Sequence, residues 1–168
     1  MRQQRSSARL RRIVISKLLL DNISSLRMKW AETRDELAKI FRLVYEEYDR
    51  SGYIDNGDPS HMLFCIHHLL PETAVLLMKY NENIISTLSL VADCKQFGLP
   101  MDALYRDELD ELREKDRKLM EACALATSMD YRWKNVLAYL FRQAYWHAVN
   151  TGTLRIQPRK RATRQCLR

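Results

Sequence analysis

The chain has 168 residues, a formal net charge of +7 at pH 7, and a hydrophobic fraction of 46% with four glycines and four prolines. This length fits one globular domain, and the apolar content excludes an intrinsically disordered protein. No stretch reaches the roughly 18 consecutive apolar residues that a membrane-spanning helix needs.

The excess positive charge lies at the two ends of the chain. Residues 1–12 contain five arginines and no acid, and residues 159–168 contain four arginines and one lysine, again without an acid. Basic ends indicate an acidic partner: nucleic acid, an anionic membrane surface or an acidic protein. Nucleic acid is the least supported of the three, because no recognition motif and no basic strand with interleaved aromatic residues accompanies the arginines.

The four cysteines are far apart and form no CxxC pair or Cys–His metal pattern; they are Cys65, Cys94, Cys123 and Cys166. Widely spaced thiols are typical of a reduced cytoplasmic protein. The adjacent His67 and His68 do not indicate a metal site, because neighbouring side chains on a helix or strand point in different directions. We therefore expect a cytoplasmic location and no bound metal.

The first elements follow from capping and periodicity. Residues 1–25 predict a basic arm with an amphipathic helix, which can pack on the domain, lie on a membrane surface or contact a carrier protein. Residues 26–30 alternate in polarity and predict a short strand. Thr33-Arg-Asp-Glu36 is a capping box, so a helix begins there and runs to about Asp49, before Ser51-Gly52 end it.

The middle of the chain predicts a hairpin and a second helix. Residues 73–80 and 84–92 are apolar runs joined by a short polar turn, which is the pattern of two antiparallel strands. Thr87 and Ser89 share one face of the second strand, so their hydroxyls point towards whatever that face covers. Residues 101–114 predict an amphipathic helix with its acids outward.

Residues 118–128 predict the central strand of the domain. At a period of two, Glu121 shares a face with Cys123 and Leu125, while the opposite face carries Ala124 and Ala126. A carboxylate among apolar neighbours is suited to chemistry on a bound substrate, but a core strand with Glu121 ionised at an edge fits the pattern equally well. The small alanines let another backbone or an extended ligand approach closely.

A helix over about residues 133–149 follows, and Gly152 ends it. Residues 153–157 predict a last short strand, and residues 159–168 form a basic tail. The order is strand, helix, hairpin, helix, strand, helix, strand, which predicts one α/β domain over residues 26–158.

Three motifs stand out along this domain: Thr87-Leu-Ser-Leu-Val-Ala-Asp93, Phe97-Gly-Leu-Pro100, and the glutamate-bearing strand Met120-Glu-Ala-Cys-Ala-Leu-Ala126. With this order of elements, residues 27–158 resemble the long-chain N-acyl amino acid synthase branch of the GNAT superfamily of N-acyltransferases. That branch is similar to the acyl-homoserine-lactone synthases. The resemblance implies a mixed, mostly antiparallel sheet flanked by helices.

The resemblance also implies a reaction. A long-chain fatty acyl group would pass from the phosphopantetheine thioester of an acyl carrier protein, or from acyl-coenzyme A, to the α-amine of an amino acid. Because an amine must be neutral to attack a thioester, a nearby base helps. Glu121 matches the family's strand glutamate as that base or as the group that orients the amine. A backbone amide near Leu125 would stabilise the oxyanion, and no resident cofactor is implied.

Further roles follow from the resemblance. Thr87, Ser89, Ala124 and Ala126 would leave room for the acyl chain or the pantetheine arm. Relatives that bind coenzyme A hold its pyrophosphate with a Gly-rich loop after the glutamate-bearing strand. In this chain the corresponding residues, 127–134, contain no glycine.

Arg132 and Lys134 can hold a single phosphate there, which suits phosphopantetheine, although solvated cations at a helix start are the alternative. The basic arm, with Arg9, Arg11 and Arg12, can complement an acidic carrier protein.

The end of the chain also departs from the family and leaves other functions open. Ile156-Gln-Pro-Arg159 resembles the start of the family's Asn-Pro-Arg-His segment, after which further strands are expected and a basic tail stands instead. We therefore expect a truncated sheet that lacks its last strands, and a non-catalytic acyltransferase-like protein is the second hypothesis. Nucleic-acid binding is the third. Within the enzyme class autoinducer synthesis is the runner-up, and it is disfavoured because Ala124 stands where those synthases carry an arginine.

Overall fold

The computed structural model describes residues 25–54, 59–132 and 135–153. Its main elements, in chain order, are β1 (Leu26–Trp30), α1 (Arg34–Arg50), β2 (Ala74–Tyr80), β3 (Asn83–Ala92), α2 (Asp102–Glu114), β4 (Met120–Thr127) and α3 (Val136–Asn150). The predicted fold class, a mixed α/β protein with an antiparallel sheet flanked by helices, is confirmed. Nearly all of the predicted arm, the predicted strand after residue 153 and the basic tail lie outside the described residues.

The capping box predicted at the start of α1 is present. Thr33 Oγ1 accepts a hydrogen bond from the backbone N–H of Glu36 at 3.1 Å, and the Glu36 carboxylate accepts one from the N–H of Glu32 at 3.1 Å. Lys79 and Lys29 also bind this carboxylate, at 3.1 and 3.2 Å. The bond from the Glu32 amide is the largest of the influences that lower the pKa of Glu36 to about 2. These contacts join α1 to β1 and β2.

The four described strands pair in the order β1-β2-β3-β4, and every neighbouring pair is antiparallel. Because side chains alternate along a strand, each face of the sheet buries a different set of residues. One face packs Leu76, Leu88 and Leu90 against α3, and the other packs Val75 and Leu77 against α1.

A smaller core lies where α2 covers the ends of β3 and β4. It contains Val91, Leu99 and Leu109, with Leu119 and Cys123 at its edge. The start of β4 therefore lies beneath a helix and a loop, and the predicted site residues of this strand begin there.

Among the described helices, none has the length and apolar character to cross a membrane.

Candidate active site

Strand β4, which the sequence predicted to be central, is the last strand of the described sheet, and it contains a bulge beside β3. Two consecutive residues, Ala124 and Leu125, face the single residue Leu88 across the ladder. Ala124 has a φ of +48°, a left-handed conformation that costs a non-glycine residue about 1 to 3 kcal/mol. Bulges reorient side chains, interrupt strand pairing and are frequent beside active sites. The bulge is therefore one of two places where the described sheet departs from regular pairing; the other is between β2 and β3, at Met78 and Lys79.

The bulge overturns the strict alternation predicted for β4. Cys123 contacts the core beneath α2, whereas Leu125 packs in the core beneath α3, on the opposite face. The prediction that Glu121 and Leu125 share one face is wrong, because one extra residue shifts a pattern of period two. Ala124 and Ala126 instead pack against the core beneath α1.

Glu121 is held by the start of α2. Its Oε2 accepts a hydrogen bond from the backbone N–H of Met101 at 2.8 Å, and the side chain is half-buried. The positive end of the helix dipole favours a carboxylate in this position. No other bond to the carboxylate comes from the residues described, so Oε1 is left to accept a hydrogen bond or a proton. Glu121 is thus fixed in place with one oxygen available for chemistry.

Two hydroxyls of β3 lie on the same face of the sheet as Glu121. Thr87 and Ser89 are both 0% exposed. Thr87 Oγ1 donates to the carbonyl of Leu76 at 2.9 Å, and Ser89 Oγ has no hydrogen-bond partner in the described part of the chain. Only Ser89 therefore retains a free hydroxyl for another group.

Cys123 lies directly opposite Ser89, on the strand that carries Glu121. Burial, with smaller contributions from Glu121 and Cys65, raises the pKa of Cys123 to about 12. The thiol is therefore neutral near pH 7 and does not act as a nucleophile.

A cysteine–histidine group lies in the turn before β2. His67 Nε2 donates to the carbonyl of Phe97 at 3.2 Å, and His67 Nδ1 lies 3.6 Å from Cys65 Sγ. His68 Nδ1 accepts from the N–H of Cys65 at 3.1 Å, and burial lowers the pKa of His68. Within the described residues there is no group of three or more side chains placed to hold a metal. The two histidines instead fasten this turn to its surroundings.

Arg132, predicted to hold a phosphate, is bound to α1. Its Nη2 donates to Glu47 Oε2 at 2.9 Å, and its Nε lies 3.4 Å from the carbonyl of Thr127. Glu47 is 5% exposed and also binds Arg50. The loop after β4 is thereby attached to α1. Lys134, the second predicted phosphate ligand, lies outside the described residues.

Sequence reasoning missed an arginine that gathers three carboxylates. Arg113 of α2 binds Asp93 through Nε and Nη2 at 2.7 and 2.8 Å, and Asp102 through Nη1 and Nη2 at 2.8 Å each. Its Nη1 also binds Asp110 at 2.7 Å. These bonds raise the pKa of Arg113, and the bond from Arg113 lowers the pKa of Asp102. All four residues lie in the charged segments on either side of the Phe97-Gly-Leu-Pro100 motif. The charge of these segments was the signal in the sequence that could have indicated the cluster.

The chain is similar to a known family of enzymes and to one of its solved structures. The family model for N-acyl amino acid synthase FeeM matches residues 39–163. The structure of FeeM, an N-acyl amino acid synthase from uncultured soil microbes, matches 76% of this chain at 25% identity with a TM-score of 0.65. The present chain spans 66% of the length of that structure. No curated protein matches the sequence.

Two acetyltransferases share the fold alone. An aminoglycoside acetyltransferase from an uncultured soil metagenomic sample, in complex with trehalose, matches 83% of this chain and 82% of its own at 12% identity, with a TM-score of 0.52. A putative acetyltransferase from Agrobacterium tumefaciens matches 80% of this chain and 83% of its own at 12% identity, with a TM-score of 0.50.

The FeeM family match covers most of α1 and every later element up to α3, and it contains both Glu121 and Arg113. It extends over well more than half of the chain, and the fold agrees with it. The chain therefore belongs to the FeeM family of N-acyl amino acid synthases, within the GNAT acyltransferases.

Proposed function

We propose that this protein transfers a long-chain fatty acyl group from the phosphopantetheine thioester of an acyl carrier protein to the α-amine of an amino acid. The observation that carries the proposal is Glu121, which lies on the bulged strand with one carboxylate oxygen bonded to Met101 and the other free. Membership of the FeeM family supports the N-acylation, while the carrier protein, the chain length and the amino acid belong to the proposal alone.

The proposed reaction begins with the neutral amine, which attacks the thioester carbonyl carbon. The carbon–sulfur bond breaks as the carbon–nitrogen bond forms, and the pantetheine leaves as a thiol. Glu121 Oε1 accepts the proton that the amine loses, and that proton passes to the leaving sulfur. A positioned base of this kind accelerates a reaction by roughly 10² to 10⁴-fold.

The bulge supplies the second proposed component. A tetrahedral intermediate places negative charge on the former carbonyl oxygen, and a fixed backbone N–H stabilises that charge better than mobile water does. We assign this role to the N–H of Leu125, because Leu125 directly follows Ala124 in the bulge, where pairing with β3 is interrupted. The amide donates to the oxyanion without any side-chain chemistry.

Two of the residues that we propose to line the donor site, Ala124 and Ala126, are small and pack against the core beneath α1. Ala124 and Ala126 expose only methyl groups towards α1, and the free hydroxyl of Ser89 lies on the same face. We propose that the acyl chain or the pantetheine arm runs along these residues and Thr87. Small side chains permit this because an extended ligand needs close backbone approach.

We propose an acyl carrier protein, not coenzyme A, as the donor. Residues 127–134 include no glycine, and Arg132 already binds Glu47 there. The arginines of residues 1–12 offer complementary charge to an acidic carrier protein. The proposed location is the cytoplasm, in keeping with the free cysteines at positions 65, 94 and 123.

Mass spectrometry of lipid extracts from bacteria that express the full chain tests the proposal. We expect N-acyl amino acids from the natural protein and from Glu108→Gln, a control at an exposed glutamate of α2. We expect at least a hundredfold less product from Glu121→Gln. Equal product from Glu121→Gln would refute its role as base. No product from the folded natural protein would refute the synthase activity, and acyl-homoserine lactones in the same extracts would identify the related reaction instead.

A further inference from the structure

A cavity of about 500 Å³ lies between the loop at residues 93–98 and α2. It is close to the start of β4, because the N–H of Asp93 donates to the carbonyl of Leu119 at 3.1 Å. Arg132 lies beyond the other end of this strand, and eight strand residues span roughly 25 Å. The cavity is therefore separate from the loop predicted to bind the phosphate of the donor.

Charged side chains line this cavity. It contains four cations and three carboxylates, which give a net charge of 4 − 3 = +1; they are Lys95, Arg106, Arg113 and Arg117, with Asp93, Asp102 and Asp110. The charges are not evenly paired. Arg113 binds all three carboxylates at 2.7 to 2.8 Å. All three carboxylates are thus bonded to one cation, and these four residues together carry a charge of 1 − 3 = −2, which the other three cations of the lining outweigh.

The other three cations have no such partner. Lys95, Arg106 and Arg117 are exposed and form no ion pair or side-chain hydrogen bond within the described residues, and only Arg106 is close enough for its charge to help lower the pKa of Asp102. Cations gathered around a concave surface raise the local concentration of anions. The guanidinium groups also match the geometry of carboxylate and phosphate oxygens.

Hydrogen bonds join the two walls that carry these cations. Leu99 N–H donates to Asp102 Oδ2 at 2.6 Å, and the two-bond contact of Arg113 with Asp93 joins α2 to the loop on the opposite wall. Gly98 has a φ of +63° and lies directly against the Asp102 carboxylate. A site with fixed walls binds an ion without the entropic cost of ordering the loop.

We propose that this cavity is a binding site for a small oxyanion, a phosphate or a carboxylate group, held by Arg106, Arg117 and Lys95. Arg113 acts as the structural support of the site and does not bind the ligand, because its hydrogen bonds are taken by the three aspartates. The proposal is independent of the acyl transfer at Glu121. An anionic portion of a substrate and a free regulatory anion are both compatible with this chemistry.

Titration of the ¹⁵N-labelled full chain, followed by NMR, tests the proposal. Sodium phosphate is added in one experiment and N-acetylglycine, a carboxylate without a free amine, in another, with sodium chloride keeping the ionic strength constant. We expect saturable shifts of the Phe97 and Gly98 amides. The double variant Arg106→Gln/Arg117→Gln should bind at least tenfold more weakly, while Arg27→Gln, at an exposed arginine of β1, should bind as the natural chain does.

The outcomes separate cleanly. Saturation by phosphate alone identifies a phosphate group, saturation by N-acetylglycine alone identifies a carboxylate, and saturation by both identifies a general oxyanion site. No saturation by either ligand, or equal affinity in the double variant, overturns the proposal. If the double variant does not fold, Lys95→Gln on the exposed loop replaces it, with an expected loss of about threefold. Glu121→Gln should bind these anions normally, so failure of the acyl transfer leaves this result unaffected.

Discussion

The carboxylate of Glu121 accepts a hydrogen bond from the backbone N–H of Met101 at 2.8 Å. This bond joins the second residue of β4 to the start of α2, across 20 positions of sequence. It orients the proposed base, and it also satisfies a backbone group at the helix terminus. The residue therefore has a structural role that can be measured separately from its chemistry.

Substitution of Glu121 should separate these two roles. Glutamine retains an oxygen that accepts from Met101, so Glu121→Gln should change the free energy of unfolding by less than about 0.5 kcal/mol. Alanine leaves the N–H without its partner, and Glu121→Ala should cost about 1 to 2 kcal/mol. Urea denaturation followed by circular dichroism measures both values. Equal stability of the two variants would show that the bond to Met101 contributes nothing.

Gly98 should tolerate a side chain poorly. A Cβ at this position would overlap the Asp102 carboxylate, which Arg113 and the N–H of Leu99 hold in place. Gly52 has a similar φ of +73° but has nothing within 4 Å of the same added atom. Both Gly→Ala variants lose the ease of a left-handed backbone, at about 1 kcal/mol each.

Only at position 98 is a steric clash with Asp102 added to the cost of the left-handed backbone. Gly98→Ala should therefore be less stable than Gly52→Ala by a further ~1 to 3 kcal/mol. Thermal unfolding by calorimetry compares the two variants directly. Indistinguishable melting temperatures would mean that Asp102 moves aside at no cost.

The buried hydroxyls of β3 should respond in opposite ways to their removal. Ser89 Oγ is buried without a partner, so Ser89→Ala should leave stability unchanged or raise it by up to ~1 kcal/mol. Thr87→Val removes the bond to the carbonyl of Leu76 and should cost about 1 kcal/mol.

Chemical denaturation of the two variants checks this comparison. A marked loss of stability in Ser89→Ala would indicate that its hydroxyl is bonded in solution. If Ser89 contacts the donor as proposed, the same variant should lower acyl transfer while the protein remains fully folded. Normal acyl transfer would remove Ser89 from the proposed site.

Acid should destabilise the protein partly through Glu36. Its pKa is lowered from 4.5 to about 2 in the folded state, so its contribution is complete above the unfolded pKa and is lost as the pH falls through the folded pKa. Glu36→Gln should be less stable than the natural chain at pH 7. The difference between the two should shrink as the pH falls from about 5 to 2.

Melting temperatures measured across that pH range test the effect. Glu82→Gln serves as the control, because Glu82 is exposed in the hairpin turn. Its difference from the natural chain should remain small at every pH. A Glu36→Gln difference that stays constant with pH would show that the ion pairs with Lys29 and Lys79 do not affect folding.

Patterns within a few residues of one another were sufficient to predict most of the elements. The capping box at Thr33 and Glu36 acts across three positions, and the two apolar runs at residues 73–80 and 84–92, joined by a short polar turn, indicate a hairpin. The motif at residues 120–126 likewise indicated the family that the FeeM model identifies. In each case the interaction that stabilises the structure is local, so its signal is present in the sequence.

The tertiary structure alone decided the details of the candidate site. The bulge at Ala124 and Leu125 depends on the register of β4 against β3, and periodicity contains no information about one extra residue. The bonds from Arg113 to Asp102 and Asp93, and the Glu121–Met101 bond, join positions 11 to 20 residues apart. The sequence by itself therefore determined the elements, the fold class and the family resemblance. Which side chains meet was decided only when the sheet and α2 packed together, because long-range contacts depend on the path of the whole chain.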